Sequence, residues 1–443
     1  MRGVVRLSKI IACLREYRLA RRNVASSLRP MSPSDYIDAH AADLVALLQR
    51  LVRLPTVNPP GDHYDAITRL LVAELDGAGL KVRRYTVPAA LAKSHLPLGQ
   101  HAFPRYNVLG KLAARRAKKT LHFNAHYDVV PVSGIWRHGD PFSGEVERGW
   151  VYGRGTSDMK GSHASLLLAL RALKATRTDP KLNIEVSFTA DEETDSELGA
   201  GWLVRHAPIR PDYAIVMEGG EGSGVCCGHN GVVWLNVTVH GRAAHGSQPE
   251  RGVNALEKMA ALVRALDDHK RALAARAFTA PDGKVRTPTL NVGGVFAPGP
   301  GGKINTVPAF ASFSIDRRVV PSESVAAAER ELRGFLRTAA KAIPQCRITV
   351  EKVSHNHPCF TPPDAPFFRA MAGCVARVRR RPAVFMTSTG FNDMHFFAHN
   401  LKIPTLGYGP GGHNYHAVDE RASVRELVAS AKIYAELLTT FAG

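Results

Sequence analysis

Several features are missing from this sequence, and each absence excludes a class of protein. Its 443 residues contain no uncharged apolar run approaching the roughly 20 residues that a membrane-spanning helix requires. None of its six cysteines forms a Cys-x-x-Cys pair, which argues against a cysteine-rich zinc site and favours a reducing compartment. Together these absences predict a soluble cytoplasmic protein with no transmembrane segment.

Acidic residues are scarce relative to basic ones: 39 Asp and Glu stand against 58 Lys and Arg, for a net charge of +19. The sequence nevertheless has no block of five or more consecutive basic residues and no aromatic–basic nucleic-acid motif. We therefore expect no nucleic-acid partner. We interpret the positive field as one that attracts anionic substrates.

The first 30 residues differ in composition from the rest of the chain, with eight basic side chains and one acidic one. Their apolar residues follow the spacing of a basic amphipathic helix, which is typical of a transit-like or membrane-surface segment. The alternatives are a packing arm and an upstream extension that precedes a natural start at Met31. All three place residues 1–30 outside the predicted fold.

The chain is longer than one hydrophobic core usually organises, so we expect two domains. Strand-like and helical segments alternate in the first half and again near the end, which favours an α/β domain around a mostly parallel central sheet. Its strands are expected at 81–87, 120–125, 184–189, 213–217 and 405–408, and its helices at 36–52, 65–78 and 164–175. In such a domain the functional residues lie beyond the carboxyl ends of the strands.

The pattern changes between about residues 228 and 354, where the order becomes strand, helix, strand, strand, helix, strand. This βαββαβ order is the ferredoxin-like arrangement. The α/β pattern resumes afterwards, so the second domain is inserted into the first. We therefore predict an extension (1–30), an α/β domain in two parts (31–227 and 355–443) and an inserted domain (228–354).

Polar side chains follow several of the predicted strands. His126, Glu193 and Glu218 each come just after a different strand, and His416 follows the late strand and its Gly-Pro-Gly-Gly turn. Each residue taken alone has an ordinary explanation, such as a surface histidine or a solvated acidic turn. Because strand ends of one sheet border the same crevice, the four residues together predict one site.

Three further carboxylates lie close to these residues in the sequence. Asp128 is two residues after His126, so in extended chain both side chains share a face and Asp128 can orient the imidazole. Asp158 lies in a glycine-bounded loop before a helix, where a helix cap is the competing interpretation. Glu192 directly precedes Glu193.

Two histidines and three carboxylates, with one carboxylate to spare, suit Zn²⁺ better than Mg²⁺ or a thiolate-preferring metal. A bridging Asp158 allows two ions, each with one terminal histidine and one terminal carboxylate, and leaves Glu192 as a base. Two ions about 3.5–4 Å apart activate a shared water and polarise a carbonyl group. The pattern therefore predicts hydrolysis.

Four motifs, in this order, resemble those of the M20 metallopeptidase family, and the resemblance runs from about Met31 to the C-terminus. The motifs are His126-Tyr127-Asp128-Val129-Val130-Pro131, Tyr152-Gly153-Arg154-Gly155-Thr156-Ser157-Asp158-Met159-Lys160-Gly161, Asp191-Glu192-Glu193 and His416-x-x-Asp419-Glu420. That family includes acetylornithine deacetylase, succinyl-diaminopimelate desuccinylase, aminoacylase-1 and the glutamate-releasing carboxypeptidases. The resemblance implies a zinc-binding α/β catalytic domain that carries an inserted ferredoxin-like lid, through which the family commonly dimerises.

The resemblance also implies the metal ligands, with one histidine and one carboxylate at each of two zinc ions: His126 and Glu218 at the first, Glu193 and His416 at the second, and Asp158 as the bridge. It makes Glu192 the general base and then the general acid, with Asp128 beside His126. Co²⁺ is an expected substitute for zinc. Glu221 and His413 are competing ligands, although the spacing to the last motif favours His416 over His413.

Three residues of the inserted domain match substrate-side positions of the family. His245 matches a histidine that reaches the active site of the partner subunit and stabilises the oxyanion. Asn305 and Arg318 match positions that bind a substrate carboxylate. Arg317 is the competitor of Arg318, and strand alternation allows only one of the two into the cleft.

We therefore expect a di-zinc hydrolase that cleaves the amide bond of an N-acyl amino acid, such as acylated ornithine or diaminopimelate, and that forms a homodimer through its lid. A dipeptidase or carboxypeptidase is the alternative within the same chemistry. A non-catalytic metal-dependent binding protein is a second alternative, which predicts a broken ligand set or a replaced Glu192. The sequence shows neither change.

Overall fold

The computed structural model describes residues 30–297, 299 and 302–443. The predicted extension at 1–30 therefore lies outside the described residues, apart from Pro30. Within the described ranges, no helix combines the length and the hydropathy needed to cross a membrane.

Helices and strands alternate along the described chain, as the sequence predicts. The strands are β1 (Lys81–Thr86), β2 (Tyr106–Leu112), β3 (Thr120–His126), β4 (Val146–Glu147), β5 (Trp150–Tyr152), β6 (Asn183–Thr189), β7 (Tyr213–Val216), β8 (Gly224–His229), β9 (Gly231–His240), β10 (Phe278–Thr279), β11 (Val285–Arg286), β12 (Thr289–Ala297), β13 (Phe310–Val319), β14 (Arg347–Asn356), β15 (Cys359–Phe360), β16 (Val384–Ser388), β17 (Thr405–Gly407) and β18 (Arg421–Ser423). The α-helices are α1 (Pro33–Ala39), α2 (Ala41–Val52), α3 (Tyr64–Gly77), α4 (Ala89–His95), α5 (Gly161–Ala175), α6 (Ala200–His206), α7 (Ala255–Ala274), α8 (Val325–Ala342), α9 (Pro366–Arg379) and α10 (Val424–Thr440).

A mixed sheet forms the centre of the larger domain, in the order β1-β2-β6-β3-β7-β17-β8-β15 with β16 beside β8. Its four central strands, β6, β3, β7 and β17, are parallel, whereas the strands that flank them pair antiparallel. β3 and β6 are buried along nearly their whole length. Helices on both faces account for this burial, which includes polar side chains such as His122 and Glu185.

Two apolar cores lie on opposite faces of this sheet. One core joins the sheet to α2, α3, α5 and α10 through residues such as Leu48, Leu71, Leu167 and Leu437. The other core includes Trp202 of α6. Because α5 connects β3 to the parallel strand β6, the carboxyl ends of the central strands meet at one edge, and the loops that follow them converge there.

The inserted domain is a four-stranded antiparallel sheet in the order β12-β13-β9-β14. α7 and α8 cover one face, and alternate residues of β9 and β13 are buried under them. A small hairpin, β10–β11, precedes β12. The chain leaves the large sheet between His229 and Gly231 and returns to it between Asn356 and Cys359, where β15 pairs with β8.

The predicted fold class is confirmed: an α/β domain with a parallel centre carries an inserted βαββαβ domain. The prediction of a single helix over 36–52 is wrong, because His40 leaves the helical conformation (φ −112°, ψ 23°) and separates α1 from α2. The apolar spacing continues across this break, so periodicity alone does not detect it. The pattern also misses β2 and β8, which contain glycine and few β-branched residues.

Candidate metal centre and active site

The carboxyl edge of the parallel strands gathers histidine and carboxylate side chains from distant parts of the chain. His126 is the last residue of β3, while Glu193 and Glu218 lie in the loops that follow β6 and β7. His416 lies between β17 and β18. Asp158 sits in the tight turn Thr156–Lys160 that leads into α5. The structure brings these five predicted ligands into one cluster.

Asp158 lies at the centre of the cluster and faces both histidines. Its Oδ1 is 3.1 Å from His126 Nε2, and its Oδ2 is 3.1 Å from His416 Nε2. Glu218 Oε2 lies 3.7 Å from the first imidazole, and Glu193 Oε2 lies 3.2 Å from the second. The cluster thus consists of two halves, each with one histidine and one carboxylate, joined by a shared aspartate.

These distances fit a metal centre. Ligand atoms about 2.0–2.2 Å from a tetrahedral zinc ion lie roughly 3.3–3.6 Å from one another. Donor atoms of His126, Asp158 and Glu193 all lie within 4.8 Å of one another. Oε1 of Glu193 is buried and has no hydrogen-bond partner, which leaves it available to a cation.

The pKa values of the cluster show how much negative charge it concentrates. Contacts with Asp158 and Glu193 raise the pKa of His416 to about 10. Burial, together with the charge of Asp158, raises the pKa of Glu193 to about 7. Burial also raises the pKa of Glu218. Carboxylates that repel one another and attract protons in this way also attract a metal cation.

Glu192 lies beside the cluster and outside its closest contacts. Its Oε2 is 3.9 Å from His126 Nε2, and its side chain is 12 % exposed. Burial and the neighbouring Glu218 raise the pKa of the Glu192 carboxyl well above its ordinary value. A raised pKa makes a carboxylate a stronger base, which suits it to general acid–base catalysis.

Asp128 connects His126 to the loop that carries the two adjacent glutamates. Its main-chain carbonyl oxygen lies 3.1 Å from His126 Nδ1, closer than its own carboxylate at 3.5 Å. The carboxylate accepts hydrogen bonds from the backbone N–H groups of Glu192 (3.2 Å) and Glu193 (3.1 Å). An Nδ1–H that donates to the carbonyl leaves Nε2 free to ligate a metal.

A buried polar network behind the cluster includes residues that sequence reasoning did not select. Asn58 donates to Asp128 Oδ2 (3.0 Å) and to Asp191 Oδ1 (3.1 Å). Asp191 in turn pairs with the fully buried Arg105 at 2.7 Å and accepts from Tyr64. Asp191 stands next to Glu192 in the third motif. No sequence pattern around Asn58 or Arg105 indicates a role for these two residues.

Glu221 and His413, the competing ligands, have other partners. Glu221 Oε2 accepts a hydrogen bond from the hydroxyl of Tyr415 at 3.0 Å. The ring of His413 lies 5.1 Å from that of Trp150. The structure therefore places Glu218 and His416, and not these two residues, in the cluster.

The three lid residues stand apart from the cluster. His245 is exposed and its Nδ1 lies 2.7 Å from Ser247 Oγ, and Asn305 is also exposed. Arg318 donates to Asp316 and lies 5.6 Å above the ring of Phe391. In the part of the chain that the structure describes, no hydrogen bond or ion pair joins these three residues to the His–carboxylate cluster.

The two adjacent lid arginines point in different directions. Arg317 is 1 % exposed and donates to Glu323 at 2.7 Å within the lid. Arg318, by contrast, contacts Phe391, a residue of the catalytic domain that precedes Asn392. The side chain of Asn392 hydrogen-bonds Glu218, so Arg318 faces a segment that borders the cluster.

The sequence and the fold of this chain are similar to those of known proteins. The sequence profile of Peptidase family M20/M25/M40 matches residues 122–440. Succinyl-diaminopimelate desuccinylase of Methylorubrum extorquens (strain PA1) is 30% identical over 410 residues, which cover 90% of this chain and 98% of that protein. Acetylornithine deacetylase of Photorhabdus laumondii is 27% identical, and the match covers 90% of this chain and 97% of that protein.

A solved Bacillus subtilis structure, described as a dinuclear metal-binding peptidase from the M20 family, superposes with a TM-score of 0.64. It is 14% identical and covers 91% of this chain and 98% of that one, so it supports the fold alone. Fold, candidate metal site and sequence define a metal-dependent hydrolase. The chain belongs to Peptidase family M20/M25/M40, which confirms the resemblance seen in its motifs.

Proposed function

We propose that this hydrolase uses two zinc ions to cleave the amide bond of an N-acyl amino acid. The observation that carries the proposal is the position of Asp158, whose two oxygens each face a different histidine at 3.1 Å. The names of the two relatives, a desuccinylase and a deacetylase, support an acyl group on an amino acid as the substrate.

The ligand set supports zinc as the metal. Each half of the cluster offers one imidazole and one carboxylate in addition to the shared Asp158, and such mixed nitrogen–oxygen sets suit Zn²⁺. Co²⁺ accepts the same ligands and is expected to substitute. Two zinc ions bound by these residues would supply the Lewis-acid chemistry that activates a water molecule and polarises the scissile carbonyl group.

Glu192 supplies the proton transfers in this proposal. It accepts a proton from the attacking water and later donates it to the departing nitrogen, so that the products are a carboxylic acid and a free amine. The raised pKa of Glu192 supports the first step, because it makes the carboxylate a stronger proton acceptor. Asp128 positions Glu192 through the hydrogen bond from the Glu192 backbone N–H.

The substrate side of the site comes from the lid. Arg318 presents a guanidinium next to Phe391 and is the proposed partner of a substrate carboxylate, together with Asn305. The net charge of +19 supports attraction of such an anionic substrate.

We further propose a homodimer in which His245 completes the active site of the partner subunit and stabilises the oxyanion. His245 is exposed and separate from the cluster of its own chain, which supports a role across an interface. The edge strand β12 exposes Val295 (67 %) and Phe296 (72 %), and apolar residues at a free strand edge favour association with a second chain.

The alternative of a dipeptidase or carboxypeptidase is not favoured. The relatives at 27–30% identity are named for deacylation of amino acids, whereas the solved peptidase at 14% identity supports the fold alone. A cytoplasmic location, and domain limits at residues 227/228 and 354/355, remain proposals from the sequence.

A product-release assay tests the proposed function. The zinc-loaded protein is incubated with acetyl-, succinyl- and formyl-amino acids and with dipeptides, and the free amine is measured. We expect turnover of at least one N-acyl amino acid that carries a free carboxylate. Turnover of dipeptides alone supports the peptidase alternative, and no turnover by a protein that holds two metal ions contradicts the proposal.

A further inference from the structure

The two carboxylates of the fourth motif, Asp419 and Glu420, are not among the proposed ligands and have no role in the proposed reaction. Glu420 follows His416 by four residues and is completely buried. A buried carboxylate is unfavourable unless hydrogen bonds and opposite charges compensate for its lost hydration. The contacts of Glu420 therefore indicate what it does.

Glu420 accepts four hydrogen bonds from the segment that carries the bridging aspartate. Its Oε1 accepts from the backbone N–H of Ser157 (3.0 Å), the hydroxyl of Ser157 (3.1 Å) and the backbone N–H of Asp158 (3.1 Å). Its Oε2 accepts from Arg154 Nη1 at 2.6 Å. The main-chain carbonyl of Glu420 also accepts from Gly153 at 2.8 Å. Glu420 thus binds both the backbone and the side chains of this segment.

These bonds join two ligand segments that are far apart in the sequence. Asp158 lies in a turn before α5, and His416 lies in the loop after β17, 258 residues later. His416 is not part of a strand, and its side chain is 53 % exposed, so the large sheet does not fix its position. By contrast, His126 ends a central strand and is 1 % exposed.

From this geometry we infer that Glu420 is a positioning residue, which holds the backbone of Asp158 at a fixed distance from the segment of His416. The inference rests on the proposed function, because it assumes that Asp158 and His416 ligate metal. Without the carboxylate, the Asp158 turn and the His416 loop move independently, and the metal ligands lose their alignment. Outer contacts of this kind typically change metal affinity or activity by about 10- to 100-fold.

The chemistry of the carboxylate explains why glutamine cannot replace it. Both oxygens of Glu420 accept hydrogen bonds, from backbone N–H groups on one side and from a guanidinium on the other. An amide has one accepting oxygen and one donating NH₂ group. Glu420→Gln therefore places a donor against another donor on one of the two sides, while the volume of the side chain stays the same.

Zinc affinity is the readout, measured on the full-length metal-free protein by competition with a chromophoric chelator. We expect Glu420→Gln to bind Zn²⁺ about 10- to 100-fold more weakly than the unaltered chain. Glu74→Gln is the matched control, because Glu74, on α3, is also buried and pairs with two arginines, Arg50 and Arg171. It is expected to lower the unfolding temperature and leave zinc affinity unchanged.

A folded Glu420→Gln variant that binds zinc as tightly as the unaltered protein overturns the inference. If this variant does not fold, Glu420→Asp is titrated in its place, since it keeps the charge and shortens the reach; unchanged affinity again overturns the inference. The titration contains no substrate. If the variant keeps its zinc affinity and the unaltered protein hydrolyses N-acyl amino acids, only the role of Glu420 is rejected. If the unaltered protein binds metal but does not hydrolyse these substrates, only the proposed function is rejected.

Discussion

Two adjacent glutamates are held in different surroundings within the same loop. Glu193 Oε2 lies 3.2 Å from His416, whereas Glu192 Oε2 lies 3.9 Å from His126, and both backbone N–H groups donate to Asp128. Asp128 thereby anchors the backbone of both glutamates. In the proposed function, Glu193 ligates a metal ion and Glu192 exchanges a proton.

Replacement of Glu192 by glutamine tests this division. We expect Glu192→Gln to lower kcat by about 10²- to 10⁴-fold, because the amide cannot accept the proton of the attacking water. Metal content, measured by atomic emission, is expected to stay the same because Glu192 is not a proposed ligand. Glu197→Gln is the control, since Glu197 lies in the same loop and pairs with Arg205. Full activity in Glu192→Gln contradicts the assignment of the base.

The two lid arginines give a second test at the scale of single residues. Arg318→Ala is expected to raise KM for an N-acyl amino acid and to leave the unfolding temperature nearly unchanged, because its guanidinium is partly exposed. Arg317→Ala removes a buried ion pair with Glu323 and is expected to lower the free energy of unfolding by about 2 kcal/mol. Kinetics and thermal unfolding of both variants separate the two roles. A reversed pattern contradicts the assignment.

At the scale of elements, α5 carries a buried histidine that makes stability depend on pH. Burial lowers the pKa of His163 to about 3. Its Nδ1–H donates to the carbonyl of Met159, while Nε2 is buried and has no partner. In the unfolded chain the same imidazole takes up a proton near pH 6.5. Between these two pKa values the unfolded state binds one more proton, so stability rises with pH and falls as the solution is acidified.

His163→Phe is expected to reduce this pH dependence. Below about pH 6.5 one such group lowers the free energy of unfolding by up to about 1.4 kcal/mol for each pH unit of acidification. Denaturant unfolding of metal-free protein from pH 7 to pH 5 should show a shallower slope in the variant. His206→Phe, at an exposed position after Trp202, controls for the loss of a histidine in itself. Equal slopes for His163→Phe and the unaltered chain contradict the account.

The elements that carry the ligands were predictable because strand periodicity and motif order appear directly in the sequence. β3, β6 and β7 are buried runs, and each ends at or is followed by a proposed ligand, so the sequence predicts which edge of the sheet holds the cluster. β2 was not predictable, because Gly110 and Lys111 interrupt its apolar pattern. The break at His40 was not predictable either, since the apolar spacing continues through it.

Contacts between distant segments explain what the sequence did not reveal about the site. Glu420 belongs to the fourth motif, but the motif alone does not reveal that its carboxylate binds the backbone N–H of Asp158. Asn58 reaches Asp128 through a turn that contains two prolines, and its spacing matches no helix or strand. These residues are recognised from three-dimensional proximity and not from periodicity.

At the scale of the whole molecule, the proposed homodimer makes each active site depend on two chains. Co-expression of His245→Ala with Glu192→Gln tests this directly. In a mixed dimer, one site combines an intact Glu192 with the partner's intact His245, and the other site lacks both. We expect purified mixed dimers to recover about half of the activity of the unaltered dimer, because one of the two sites is complete.

Each singly altered protein serves as the control, and both are expected to be nearly inactive. If His245 acts within its own chain, every site of the mixed dimer carries one defect, and no activity is recovered. A protein that is fully active as a monomer in solution also contradicts the dimer proposal.

The central claim is that His126, Asp158, Glu193, Glu218 and His416 hold two metal ions, and anomalous diffraction from zinc-loaded crystals tests it most directly. We predict two zinc peaks per chain, about 3.5–4 Å apart, with the Asp158 carboxylate between them. One peak should lie nearest His126 and Glu218, and the other nearest Glu193 and His416. A single peak, or zinc bound at other residues, contradicts the account.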